Sequence, residues 1–198
     1  MKLKRDWFLV SVILLCCSLS AAAQAPPAEG KQFVKDGLTF NYPSAWAFND
    51  TSNADAQQMT FGRTDSEAQI TVFVFRTPLT KPERIAEAKK VLVDKYIAST
   101  MKSFEQAGAH PQSTPATGEI AGVAAEGVKI KASLDGVPGV AEIYSAVVGQ
   151  RLVVLTLLGP DRAVTKAAPA WDMIRGTIKI EEPQPKPQPA TTPKGGGQ

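Results

Sequence analysis

AEIYSAVVGQRLVVLTLLGP, residues 141–160, consists of two apolar runs joined at Gly149-Gln150. The spacing predicts a hairpin, Val140–Val148 turning into Arg151–Leu158. RLVVLTLL is almost uniformly apolar, so its strand belongs at the centre of a sheet covered on both faces. Upstream, Asp135-Gly136 and Ala121-Gly122 are turn signals flanking Ala124–Leu134, with Thr114–Ile120 before them. Together these segments predict an antiparallel meander. Alternation in Val128-Lys129-Ile130-Lys131 gives one of its strands a solvated face. Downstream of Gly159-Pro160 a short helix carrying Trp171 and Ile174 is expected, interrupted or restarted at Pro169 and stopping near Gly176. A last strand, Thr177–Ile180, follows.

A sheet buried on both faces needs two covering layers. One is KPERIAEAKKVLVDKYIASTMKSFEQAG (81–108), which predicts a single long helix. Pro82 suits its first turn, Glu83 its positive end and Gly108 its close. At 100° per residue, Ile85, Ala88, Leu92, Tyr96 and Ser99 form one stripe. Val93, Ile97, Met101 and Phe104 form a second, rotated by roughly a quarter turn. Such drift fits a helix crossing a twisted sheet.

The first block is strand-rich. Lys31–Lys35 and Leu38–Tyr42 flank Asp36-Gly37, a type I′ hairpin signal. In DGLTFNYPSAWAF (36–48), Leu38, Phe40 and Tyr42 share one face by alternation, and Phe40 and Trp46 are expected to be buried. Gln57–Arg63 and Ala68–Thr77 flank a turn at 64–67. The fold class is therefore α+β: an α/β/α sandwich with a mainly antiparallel central sheet, one long helix on one side and shorter helices elsewhere.

The chain ends differ from this middle. Lys2, Lys4 and Arg5 precede an apolar run from Trp7 to Leu19 and then Ala21-Ala22-Ala23, the pattern of a secretory signal peptide over 1–23. Lipoprotein processing at Cys16 or Cys17 wants a small residue just before the cysteine, and Leu15 and Cys16 stand there. Simple cleavage is thus the leading expectation, and lipid anchoring the lesser one. After cleavage the chain keeps no cysteine, which excludes disulfides, thiol nucleophiles and Cys-based metal sites. The cut removes three basic residues and one acidic one, leaving 19 against 18 and a net charge of +1. That balance shows no nucleic-acid footprint. Residues 24–32 read as a linker and 33–180 as one domain. EEPQPKPQPATTPKGGGQ (181–198) reads as a Pro/Gly-rich disordered tail.

Catalytic patterns are sparse. The single histidine, His110, precedes Pro111 in a polar loop, and no nucleophile motif or phosphate-cradling glycine loop is present. No metal, cofactor or catalytic set is expected, and an enzyme is not expected. Arg63, Arg76, Arg151, Arg162 and Arg175 are spread along the chain, and an anion site would require the fold to gather them. Trp46, Arg63, Arg151 and Trp171 are the candidates for a binding surface.

GLTFNYPSAW, the glycines of GEIAGVAAEGVKIKASLDG, and AEIYSAVVGQRLVVLTLLGP followed by AWDMIRGTIKI together resemble the PsbP-like superfamily over residues 33–180. That group includes photosystem PsbP, the Ran-binding Mog protein and the bacterial DcrB-like envelope proteins. The resemblance implies an α/β sandwich and a non-enzymatic assembly or binding factor. The expected function is a non-catalytic exported protein, periplasmic or secreted, that binds or stabilises another envelope protein or complex. The alternative is a carrier or sensor of a small apolar ligand or lipid, held between the long helix and the sheet.

Overall fold

A computed structural model of the chain describes residues 29–181. The signal-peptide reading of 1–23, with Cys16 and Cys17, and all of the tail reading beyond Glu181 lie outside the described residues.

Seven antiparallel strands form the large sheet in the order β3-β4-β5-β9-β8-β7-β6. They are β3 (Ala47–Asp50), β4 (Ala56–Arg63), β5 (Ser66–Phe75), β6 (Gln112–Ile120), β7 (Val123–Leu134), β8 (Val137–Val148) and β9 (Arg151–Pro160). The apolar run of residues 151–158 occupies the middle of this order. Alternate residues serve opposite layers: Val153, Leu155 and Leu157 face one core, Leu152 and Val154 the other. The meander is as expected, with Ala121, Asp135 and their following glycines at positive φ, as two-residue turns of this kind require. The turn before β5 is tighter than expected. Only Thr64 and Asp65 bridge it, because Arg63 already pairs with Ser66.

A smaller sheet was not foreseen as a separate unit. β1 (Gly30–Lys35), β2 (Leu38–Pro43) and β10 (Lys179–Ile180) pair in the order β1-β2-β10. The hairpin at Asp36-Gly37 is confirmed by φ of 49° and 76°. This sheet and α3 (Asp161–Thr177) form one covering layer. Leu38, Phe40 and Tyr42 point inward together, and Phe40 and Trp46 are buried, as expected. The helix α3 corrects a second reading: it runs through Pro169 without interruption. Pro169 sits on the exposed side of the helix, where water can satisfy the carbonyl that loses its N–H partner.

The opposite layer is a rod of α1 (Pro82–Ala88), a π-helical segment (Lys89–Asp94) and α2 (Lys95–Gln106). Backbone angles stay helical across both junctions, and Gly108 follows at φ 83°. The π turn explains the drifting stripe better than sheet twist does. At about 4.4 residues per turn instead of 3.6, six residues lag an α-helix by roughly 100°. That lag cancels the offset, so Ile85, Leu92, Val93, Ile97, Met101 and Phe104 all face the sheet. No helix among the described residues is long and apolar enough to cross a membrane.

Candidate functional site

The rod packs over Leu152, Val154, Ile143, Ala141 and Ile130, on the β9-β8-β7 part of the sheet. The same face of β4 and β5 is only partly covered. Phe73 and Phe75 project there, their rings 4.8 Å apart, and remain half-buried. The result is an open cleft along one flank of the rod, in two adjoining hollows. One, about 360 Å³, is lined by Thr71, Phe73, Val91, Tyr96, Val154 and Thr156, among others. The next, about 390 Å³, continues past Leu79, Ala88 and Leu152. Both share Phe75, Val91 and Leu92.

The apolar floor is crossed by a row of hydroxyls. Strand register sets Thr60 opposite Thr71 and Thr71 opposite Thr156, so three threonines line up across β4, β5 and β9. Thr60 and Thr71 hydroxyl oxygens lie 3.4 Å apart. Thr156, buried, donates to the Tyr96 phenol oxygen at 3.2 Å. Because that oxygen accepts, the Tyr96 proton stays available to a guest. Lys95 and Gln58 complete this end. Lys95 makes no ion pair among the described residues, and it is exposed. At the other end stand Asp55, Arg84 and Glu87, with Arg84 Nε 3.7 Å from Glu87 Oε2.

The four residues singled out from sequence are not brought together. Trp46 and Arg63 do share a hollow of about 430 Å³ with Asp65, Glu67, Arg162 and Lys166. Its charges are largely spent on each other. Arg63 holds Asp65 through two bonds, Nε to Oδ1 at 2.8 Å being one. This contact keeps the Asp65 carboxyl below the usual carboxylate range. Arg162 lies 3.2 Å from Glu67. Trp171 does not line that hollow; it is buried with its ring 6.2 Å from Tyr144. Arg151 is 8% exposed and joins the two sheets, Nη1 reaching the Asp36 carbonyl at 3.2 Å and Gln57 Oε1 at 3.4 Å. Gln57 in turn donates to the Lys35 carbonyl at 2.8 Å. The remaining arginines pair locally, Arg76 with Asp36 and Arg175 with Asp172, each at 2.9 Å. His110 is exposed, and among the described residues no three His, Cys, Asp or Glu side chains converge as a metal site.

Sequence reasoning missed Thr60, Thr71, Lys95, Tyr96 and Thr156 as one group. A signal existed: QMTFG, QITVF and VLTLL each set one threonine inside an apolar strand. What was lacking was the register that aligns them.

No protein-family model matches the chain, and no curated protein matches it by sequence. Among solved structures, a crystal structure from Bacteroides thetaiotaomicron VPI-5482 superposes with a TM-score of 0.50 at 15% identity, over 77% of this chain and 49% of that one. The chain thus spans about half the length of that protein. The solution structure of cyanobacterial PsbP (CyanoP) from Synechocystis sp. PCC 6803 superposes with a TM-score of 0.51 at 11% identity, over 82% of this chain and 99% of that one. Similarity at such identities is a similarity of fold, and the fold of this chain is PsbP-like.

Proposed function

We propose that this protein is an exported, non-catalytic binding protein that holds an apolar or amphipathic small molecule between its helical rod and its large sheet. The observation that carries this reading is the cleft over Phe73 and Phe75, where apolar surface is left half-covered beside a row of hydroxyls. Clefts of a few hundred Å³ with an apolar lining and a few converging polar groups are the usual form of a small-molecule site. Export rests on the pattern of residues 1–23, and kinship with DcrB-like envelope proteins rests on the motifs quoted above.

Binding of the neutral apolar dye N-phenyl-1-naphthylamine tests the site. Its fluorescence should rise with the purified protein. Val91→Glu, which puts a charge on the exposed wall, should weaken the response about tenfold or more while leaving the circular dichroism spectrum unchanged. An unaltered response in that variant would remove the cleft as the site.

A second reading, binding of another envelope protein, is favoured by the tip of the β7–β8 hairpin. Leu134 and Val137 pair across it and are 42% and 48% exposed. Apolar pairs at a protruding tip suit a protein contact better than a small ligand. Leu134→Lys with Val137→Lys should then abolish recovery of a partner from native envelope extract, and equal recovery would discard this surface.

A further inference from the structure

We infer that the guest of the rod–sheet cleft is a single-chain amphiphile with an anionic head, its head at Lys95, Tyr96 and Thr156 and its tail along Phe73 and Phe75 toward Leu79. This rests on the small-molecule reading above and specifies its chemistry.

The two ends of the cleft differ in charge. At the Thr156 end the lining holds one cation, Lys95, and no carboxylate. Its chain neighbour Asp94 does not line the cleft. The far end holds Asp55 and Glu87 beside Arg84, so its acids outnumber its cation. An anion is therefore favoured at the Lys95 end and disfavoured at the other. The hydroxyls act in the same direction. Thr156 donates to the phenol oxygen, which leaves the Tyr96 O–H as a donor toward the cleft. An ammonium and a phenol proton together suit a carboxylate, since hydrogen bonds to an ionised acceptor are the stronger kind.

The span between the ends sets the tail. Thr71 to Phe75 on β5, and Thr156 back to Leu152 on β9, are each four residues along neighbouring antiparallel strands. At about 3.3 Å per residue that floor is roughly 13 Å long, room for about ten methylenes in extended form. Phe73, Phe75, Val91, Leu92, Val154 and Leu152 line this stretch, and a saturated chain would bury all of them further.

Isothermal titration of the full mature chain with three ten-carbon probes tests the inference: decanoate, decanol and decyltrimethylammonium. Decanoate should bind about tenfold or more tighter than decanol, and decyltrimethylammonium weakest. Lys95→Gln should weaken decanoate severalfold more than it weakens decanol, and equal loss for the two probes would overturn Lys95 as the partner of an anionic head. Equal affinity for decanoate and decanol in the wild type would overturn the anionic head while leaving the small-molecule reading intact. Tighter binding of the ammonium probe would overturn it as well. Failure of all three probes to bind would remove both readings.

Discussion

The hydroxyl of Thr156 donates to the phenol oxygen of Tyr96 across 3.2 Å, tying the central strand of the sheet to the middle of the rod. The bond sits at the edge of the cleft, where Tyr96 is 38% exposed and Thr156 only 3%. Water can replace one partner but reaches the other poorly.

That asymmetry yields the first prediction. Thr156→Val removes the buried hydroxyl and keeps its shape, and the exposed phenol can turn to solvent. The cost in urea unfolding should be at most about 1 kcal/mol. Tyr96→Phe leaves the buried Thr156 hydroxyl without its partner and should cost about 1–2 kcal/mol. The reverse ranking would mean that the pair is not the buried contact described.

Arg151 poses a different problem, a buried cation with no carboxylate within ion-pair distance among the described residues. Its guanidinium instead spans the Asp36 carbonyl and Gln57, which is itself fully buried. Arg151→Ala should cost about 2–3 kcal/mol by stranding these acceptors. In a double-mutant cycle with Gln57→Ala the two changes should couple by about 0.5–1.5 kcal/mol. Strict additivity would show that the contact at 3.4 Å carries no energy.

Much of this architecture is legible in the chain because its signals are local. Asp36-Gly37 and Asp135-Gly136 announce their turns, since few residues accept positive φ. The run from Arg151 to Leu158 announces its burial by having no polar side. Misreadings arise where tertiary context intervenes. Pro169 looks like a break until its exposed position on α3 is known. The offset between Leu92 and Ile97 is visible as an anomaly, yet only the hydrogen-bonding pattern distinguishes a π turn from a twisted sheet. The cleft was hardest to see. Thr60, Thr71 and Thr156 are separated by up to 96 positions, and the register of one hairpin, β4–β5, and of the pairing of β5 with the distant β9 decides that they meet. Trp46 and Trp171 drew notice as large aromatics, and both went to the core, where such side chains bury the most area.

The third prediction concerns acid. Lys35 Nζ lies 2.6 Å from Asp50 Oδ2, joining β1 to β3. This donor, and after it the side chain and backbone N–H of Ser52, lower the Asp50 carboxyl to about 2. A carboxylate whose folded pKa is depressed stabilises the fold above its unfolded value near 4. That contribution fades as pH falls from about 4 through about 2. Asp50→Asn should thus unfold at lower urea than wild type near pH 6, and the gap should shrink severalfold by pH 2, where the folded carboxyl is about half protonated. A gap as large at pH 2 as at pH 6 would assign the effect to something other than ionisation. Because both side chains are partly exposed, the difference at neutral pH should also shrink in high salt.

The last prediction turns on the π segment. Lys89–Asp94 holds one residue more than an α-helical path would, and that residue brings Ile97, Met101 and Phe104 round to the sheet. Deleting Asp94, which is exposed and unpaired among the described residues, removes the excess. At 100° per residue the shortened rod, wholly α-helical, would put Ile85, Leu92, Ile97, Met101 and Phe104 on one face without a π turn. The variant should fold at a cost of at most about 1–2 kcal/mol, since a regular helix replaces a rarer one and, of the six side chains that face the sheet, only Val93 turns away from it. Deleting the equally exposed Ala98 makes the contrast. There Ile97 keeps its place while Met101 and Phe104 rotate by about 100° off the sheet, and the loss should reach about 3 kcal/mol or more. Thermal unfolding of the two deletions decides the matter: equal damage from both would show that the π turn is not what aligns the rod with the sheet.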